Sequence, residues 1–241
     1  MTGGPTMSPR RRMLFGFLLA NGTIIVVAAL LWYYRPLPPP RIQGVLLSES
    51  RALDQFELTD HSGTTFANED LRGQWHLVSY GFTTCPDVCP SALSELASFV
   101  DRLEPAYRQD LQVLFYSVDH GRDTPSQLHS YLSYFNQDFI GLTVTEPERQ
   151  DPAAFEHSLG ILAQLQPAPG AELDDGDYQV SHSVTLLLLN PQGELQAVLE
   201  PDRAGAGVPG FTVDTLLRDY TAVRDYLARR QRGNNNAGQD A

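Results

Sequence analysis

The chain has 241 residues, 42% hydrophobic and 19% charged, which suits one globular domain with appendages. Its formal net charge is −12, and the part beyond Arg35 carries 13 arginines against 29 acids, a net −16. A nucleic-acid duplex repels such a domain, so nucleic-acid binding is set aside. All 17 basic residues are arginine, which reads as the composition bias of a GC-rich bacterium.

Residues 1–12 end in the cluster Arg10, Arg11 and Arg12, and residues 13–34, MLFGFLLANGTIIVVAALLWYY, hold no charge. As a helix this run reaches roughly 33 Å, enough for a hydrocarbon core of about 30 Å. Trp32, Tyr33 and Tyr34 cluster at one end, where amphipathic rings favour the membrane interface. Basic residues before the span place the N-terminus in the cytoplasm. The expectation is a single-pass anchor in a bacterial inner membrane with its domain in the periplasm. A cleaved signal peptide is the competing reading; it needs a shorter apolar region and a small-residue cleavage site. RRRMLFGFL also allows a twin-arginine export signal. Residues 35–52 begin with Pro36, Pro38, Pro39 and Pro40, a stiff spacer.

Residues 53–230 form the expected domain. Residues 54–75 read as a hairpin around the turn DHSG. HLVSYGF (76–82) is an apolar strand that runs into GFTTCPDVCP. Residues 91–103 carry apolar side chains at a helical period. LQVLFYSVD (111–119) is a second buried strand. Thr124 and Pro125 open a helix over 124–135. IGLTVTE (140–146) is a strand at an edge, and 151–165 is another helix. AELDDGDYQV is an exposed acidic loop. Residues 183–190 and 194–200 pair around PQG. Residues 212–230 form a terminal amphipathic helix, and 231–241 a disordered tail. Strand, helix, strand, helix, then hairpin and helix is the thioredoxin-like α/β order, a central mixed sheet flanked by helices.

GFTTCPDVCP holds both cysteines of the chain, Cys85 and Cys89. A structural disulfide explains them poorly, because so short a loop contributes only about 2 kcal/mol, against nearly 5 for a 100-residue loop. Pro86 pushes Cys85 toward an extended conformation. Pro90 suits the first position of a helix, so Cys89 is expected as its N-cap. There the helix dipole favours a thiolate, the form that attacks disulfides and binds metals. A disulfide and a shared metal both remain open. His182 lies just before an apolar strand, in the loop that faces the cysteine loop in this topology, and is the candidate third ligand. Two thiolates select Cu(I), and imidazole suits Cu(II). Structural zinc wants four protein ligands, so copper fits better. His61, His76, His129 and His157 are expected to be solvated or structural. His120, beside Asp119 at the end of a central strand, is read as a loop residue.

GFTTCPDVCP, YSVDHGRDTPSQL and YQVSHSVTLLLLNPQG together resemble the SCO/SenC family. The likeness runs from about residue 53 to 230 and covers the anchor. It implies a membrane-anchored copper chaperone for cytochrome c oxidase, with Cys85, Cys89 and His182 as copper ligands. It further implies oxidase subunit II as partner, and another copper chaperone or a thioredoxin-like reductant beside it. Asp87 and Asp119 would be nearby polar groups of functional interest. Two positions depart from the family pattern: His120 stands where Pro is common, and Ser181 where Asp often precedes the histidine. Losing that Asp bears on how the imidazole is oriented.

Two other functions use the same cysteines. A thiol–disulfide oxidoreductase needs no metal, and His182 discriminates it from a chaperone. FTTCP also loosely resembles peroxiredoxins, but the two cysteines are too close for a distant resolving cysteine.

Overall fold

The structure is a computed structural model that describes residues 9–33, 37–146, 150–170, 172, 177–202 and 210–239. Two compact units divide the chain, Met1–Pro39 and Pro40–Ala241.

The first unit is helix α1, Pro9–Tyr33. Pro9 lacks the N–H that a helix start leaves unpaired, and no acid interrupts the run. Pro9–Ala29 has a mean hydropathy of 1.8 and is long and apolar enough to cross a membrane. Tyr34, Arg35 and Pro36 lie outside the described residues.

The second unit holds an eight-stranded mixed sheet. Its strands are β1 (Gly44–Arg51), β2 (Glu57–Asp60), β3 (Thr65–Ala67), β4 (Trp75–Gly81), β5 (Leu111–Ser117), β6 (Ile140–Thr143), β9 (Leu186–Leu189) and β10 (Leu195–Leu199). The order across the sheet is β1-β10-β9-β4-β5-β6-β2-β3. β4, β5 and β6 run parallel, and the other pairs are antiparallel. β7 (Ala163–Pro167) and β8 (Tyr178–His182) make a separate two-stranded sheet.

Side chains alternate across the sheet and build two cores. Trp75 and Leu77 of β4 pack with Leu93, Leu96 and Phe99 of α2 (Val88–Arg102). Leu128 and Leu132 of α4 (Pro125–Ser133) and Tyr220 and Val223 of α6 (Val213–Gln239) join them. Val78 and Tyr80 face the other way, against Phe56, Leu71 and Phe155 of α5 (Pro152–Leu159). A short helix α3 (Pro105–Arg108) leads into β5. Thr124 caps α4, as its sequence predicts, and the structure adds a reciprocal box with Gln127.

Several boundaries differ from the sequence reading. Gly44–Arg51, placed in the linker, is a strand that pairs Leu46 with Ala197 and closes one edge of the sheet. β6 is not an edge: the β2–β3 hairpin adds beyond it, with Thr59 opposite Thr143. The helix expected over 151–165 ends at Leu159, because Gly160 turns to φ +70°, the left-handed conformation of a helix stop. The chain then enters β7, which pairs Ala163 with His182. Half of the acidic loop expected over 171–180, namely Ala171 and residues 173–176, lies outside the described residues, and its end is not loop but the start of β8. Helix α6 continues to Gln239, through much of the tail expected to be disordered. Once a helix is nucleated each further residue adds a hydrogen bond, and no proline stops this one.

Candidate metal centre

The strand β4 ends at Gly81 and delivers the chain into the cysteine loop at the carboxyl edge of the parallel strands. This edge is where α/β sheets place their sites. The N–H of Cys85 donates to the carbonyl of Phe82 at 3.2 Å and tightens the loop. Helix α2 begins at Val88 with Asp87 as its N-cap residue, so Cys89 sits inside the first turn rather than at the cap. Both thiols are free and buried, Cys85 at 7% and Cys89 at 4% exposure.

His182 closes β8 and turns in toward them. The ligand atoms of Cys85, Cys89 and His182 all lie within 4.8 Å of one another. Cys89 Sγ stands 3.7 Å from His182 Nε2. The other ring nitrogen, Nδ1, is 2.9 Å from the carbonyl oxygen of Ser183. A carbonyl only accepts, so Nδ1 carries the proton and Nε2 presents its lone pair to the sulfurs. That backbone bond orients the imidazole where Ser181 has replaced the expected Asp. Ser181 itself is exposed. Phe82 meets the imidazole edge to face at 5.9 Å.

Burial first, then the hydrogen bond with Cys85, push the Cys89 thiol far up. This reverses the thiolate expected from the helix dipole: desolvation of a buried charge outweighs the dipole here. Without a metal Cys89 holds its proton at neutral pH, and an arriving metal must displace it.

The donor set fits copper. Two sulfurs and one nitrogen give soft ligands for Cu(I) and a harder one for Cu(II). Among the described residues no other cluster of three such side chains converges in this way.

Three residues shape the site without having been singled out from the sequence. Gly81 leaves room for a sulfur: a Cβ there would stand 2.5 Å from Cys89 Sγ. Asp123, in RDTP, is 1% exposed and pins the cysteine loop. It accepts from the N–H of Thr83 at 2.9 Å and the hydroxyl of Ser117 at 2.6 Å. Tyr80 is hydrogen-bonded to Ser183 at 2.6 Å and to Thr185 at 2.7 Å, which steadies the segment after His182. The sequence signals were the position of Gly81 between an apolar strand and the cysteines, and the RDTP run that carries Asp123.

The other candidates divide. Asp119 is fully buried and receives the Tyr178 hydroxyl and the Arg122 guanidinium. Asp87 is exposed. His120 Nε2 donates to the Tyr116 hydroxyl at 3.0 Å, which donates to Glu156 at 2.7 Å; this is a structural contact of the loop, as expected. His61 Nδ1 accepts from the N–H of Gly141, and its ring meets His129 at 5.1 Å, away from the site. His157 is exposed, 3.8 Å from Asp54. His76 is buried at 1% exposure.

A thioredoxin-like domain with two thiols and an imidazole at the carboxyl edge of its sheet presents the donor set of a soft-metal-binding protein. The SCO1/SenC family model matches residues 46–208, and the chain belongs to that family. A candidate copper-binding protein of Stutzerimonas stutzeri is 41% identical over 152 residues, 63% of this chain and 71% of that protein. The human protein SCO1 homolog, mitochondrial, is 36% identical over 166 residues, 68% of this chain and 52% of that one. Against the crystal structure of Arabidopsis thaliana ScoI with copper bound the TM-score is 0.58 at 29% identity, covering 72% of this chain and 99% of that one. Against apo Sco1 of Thermus thermophilus in solution it is 0.62 at 28% identity, covering 76% and 97%.

Proposed function

We propose that this chain is a membrane-anchored copper chaperone that holds copper on Cys85, Cys89 and His182 and passes it to subunit II of cytochrome c oxidase. One observation carries the reading: two buried sulfurs and an imidazole nitrogen converge within 4.8 Å. Copper arrives as cargo, and the Cys89 thiol gives up its proton as the metal binds. The sulfurs retain Cu(I); the imidazole adds the ligand that Cu(II) prefers. Residues 13–34 anchor the chain in the bacterial inner membrane, residues 1–12 stay in the cytoplasm, and the domain faces the periplasm.

A second reading rests on the two free thiols lying together. Here the protein reduces a disulfide of its partner: the Cys85–Cys89 bond forms, the partner's S–S bond breaks, and both protons pass to the partner's thiols. That chemistry uses sulfur only.

His182→Ala separates the two. Oxidase assembly at limiting copper is measured in cells carrying the variant, alongside Cu(I) and Cu(II) titrations of the purified protein. A chaperone loses assembly and Cu(II) affinity. Full assembly with unchanged Cu(II) affinity removes His182 as a ligand and leaves the reductase.

A further inference from the structure

The β7–β8 hairpin raises a mechanical question. A lone two-stranded hairpin is marginal in water, and this one pairs with no strand of the main sheet among the described residues. Yet it carries His182, which must stay in register with two sulfurs on another element.

The side chains of β8 alternate. Tyr178, Val180 and His182 are half-buried, whereas Gln179 and Ser181 are exposed. Period two puts the three on one face, with Tyr178 and His182 roughly 13 Å apart. Val180 rests on the core in between. At the far end the Tyr178 hydroxyl donates to Asp119 Oδ1. Arg122 Nε donates to the other carboxylate oxygen at 2.6 Å, and its guanidinium lies 4.0 Å from the Tyr178 ring centre. Arg122 thus neutralises a fully buried carboxylate and covers the ring that carboxylate holds. Gly121 leaves space for the phenol: a Cβ there would sit 3.3 Å from its oxygen.

The contact does not stop at Asp119. Its backbone N–H donates to Ser117 Oγ at 3.1 Å, and that hydroxyl donates to Asp123 at 2.6 Å. Asp123 in turn holds the N–H of Thr83, two residues before Cys85. One buried polar chain therefore joins the hairpin that bears the imidazole to the loop that bears the thiols. Buried networks whose members are all satisfied fix a single arrangement.

We propose that Asp119 and Tyr178 are positioning residues for the metal site: they lock the β7–β8 hairpin to the end of β5 and so hold His182 Nε2 opposite Cys85 and Cys89. This rests on His182 being a copper ligand. Neither residue touches copper. Their effect reaches the metal through His182, so it falls on the oxidation state that depends on the imidazole.

The test uses the full chain in detergent, with Cu(II) alone and Cu(I) alone as probes. Tyr178→Phe keeps the ring under Arg122 and removes only the hydroxyl. It should weaken Cu(II) binding about tenfold and Cu(I) binding less than about threefold, the lower range for a residue that orients a metal ligand. Without metal, amides of β7 and β8 should exchange faster, and those of β4 and β5 should not. In a His182→Ala background Tyr178→Phe should cost no further Cu(II) affinity, because sites acting through one group are not additive. Asp119→Asn should repeat the pattern. Equal losses for both oxidation states, the same loss without His182, or unchanged Cu(II) binding would each overturn the positioning role. If His182→Ala alone leaves Cu(II) affinity intact, the ligand reading fails with it, and that single variant identifies the failure.

Discussion

Cys85 and Cys89 sit where a fully buried parallel strand meets a helix, and every residue of β4 is buried. His182 sits at the end of a half-exposed hairpin outside the main sheet. The cysteine side is set by packing: Cys89 is buried in the first turn of α2, with its sulfur in the space that a side chain at Gly81 would fill. The histidine side is set by a few polar contacts, from Tyr178 to Asp119 and from Tyr80 to Ser183. A ligand pair that suits Cu(I) thus rests on the rigid part, and the ligand that suits Cu(II) on the lightly tied part. Changes to the first should move both oxidation states together, and changes to the second should separate them.

The largest effect belongs to the sulfurs. Cys85→Ser and Cys89→Ser should each abolish tight binding of Cu(I) and Cu(II), measured by competition with a chelator. Copper retained in either variant at wild-type affinity would end the shared-site argument. Oxidation of the pair to a disulfide should release copper for the same reason, since thiolates are the ligands.

The rigid side has a weakness at low pH. Burial lowers the pKa of His76, near the start of β4, to about 4 from an ordinary 6.5. The unfolded chain therefore binds this proton below pH 6.5 while the folded chain refuses it until about pH 4. The stability lost as pH falls through that window is on the order of 3 kcal/mol, at 1.36 kcal/mol per pKa unit. His76→Leu, similar in bulk, should flatten the pH dependence of the melting temperature between pH 6.5 and 4. An unchanged slope would show that carboxylates alone drive acid unfolding.

Gly81→Ala tests packing at the sulfur itself. The new methyl would crowd Cys89 Sγ, and a cysteine has only χ1 with which to escape. Overpacking of this kind costs about 1–3 kcal/mol. Rotating the sulfur away also takes it from the metal, so both copper affinities should fall by a similar factor. A loss confined to Cu(II) would contradict the division between the two sides.

Much of this was legible in sequence, unevenly. Cys85 and Cys89 announce themselves by rarity, spacing and the proline behind each. The apolar runs of β4, β5 and β9 are self-evident strands because helices or loops cover both faces. His182 needed the order of elements before it could be paired with the cysteines. β1 escaped because Gly44–Arg51 lies on an edge with mixed burial and comes after prolines. β7 escaped because AQLQP is mostly exposed and ends in proline, with no apolar alternation to read. Asp123 lies in the RDTP run that carries the family likeness, but its role escaped because its partner Thr83 lies forty positions away. Asp119 could be named, but its link to Tyr178 required the fold.

The smallest effect sharpens the comparison most. Tyr80 is on the rigid strand, 5% exposed, yet its hydroxyl bonds Ser183 and Thr185 on the other side. Tyr80→Phe keeps the ring in the core and removes only that link. A hydrogen bond of this kind contributes about 1 kcal/mol, and the stranded hydroxyls of Ser183 and Thr185 can find each other or water. Melting should therefore move little. The segment just after His182 loses a tether, and the Ser183 carbonyl that orients Nδ1 lies within it. Cu(II) affinity should fall severalfold, less than the roughly tenfold or greater loss for a partner that orients the ligand directly, while Cu(I) affinity holds. Paired titrations of the variant with the two ions measure it. Equal sensitivity of both ions would place Tyr80 with the cysteines, and the boundary between the packed side and the tethered side would then run through Ser183 rather than through the strand.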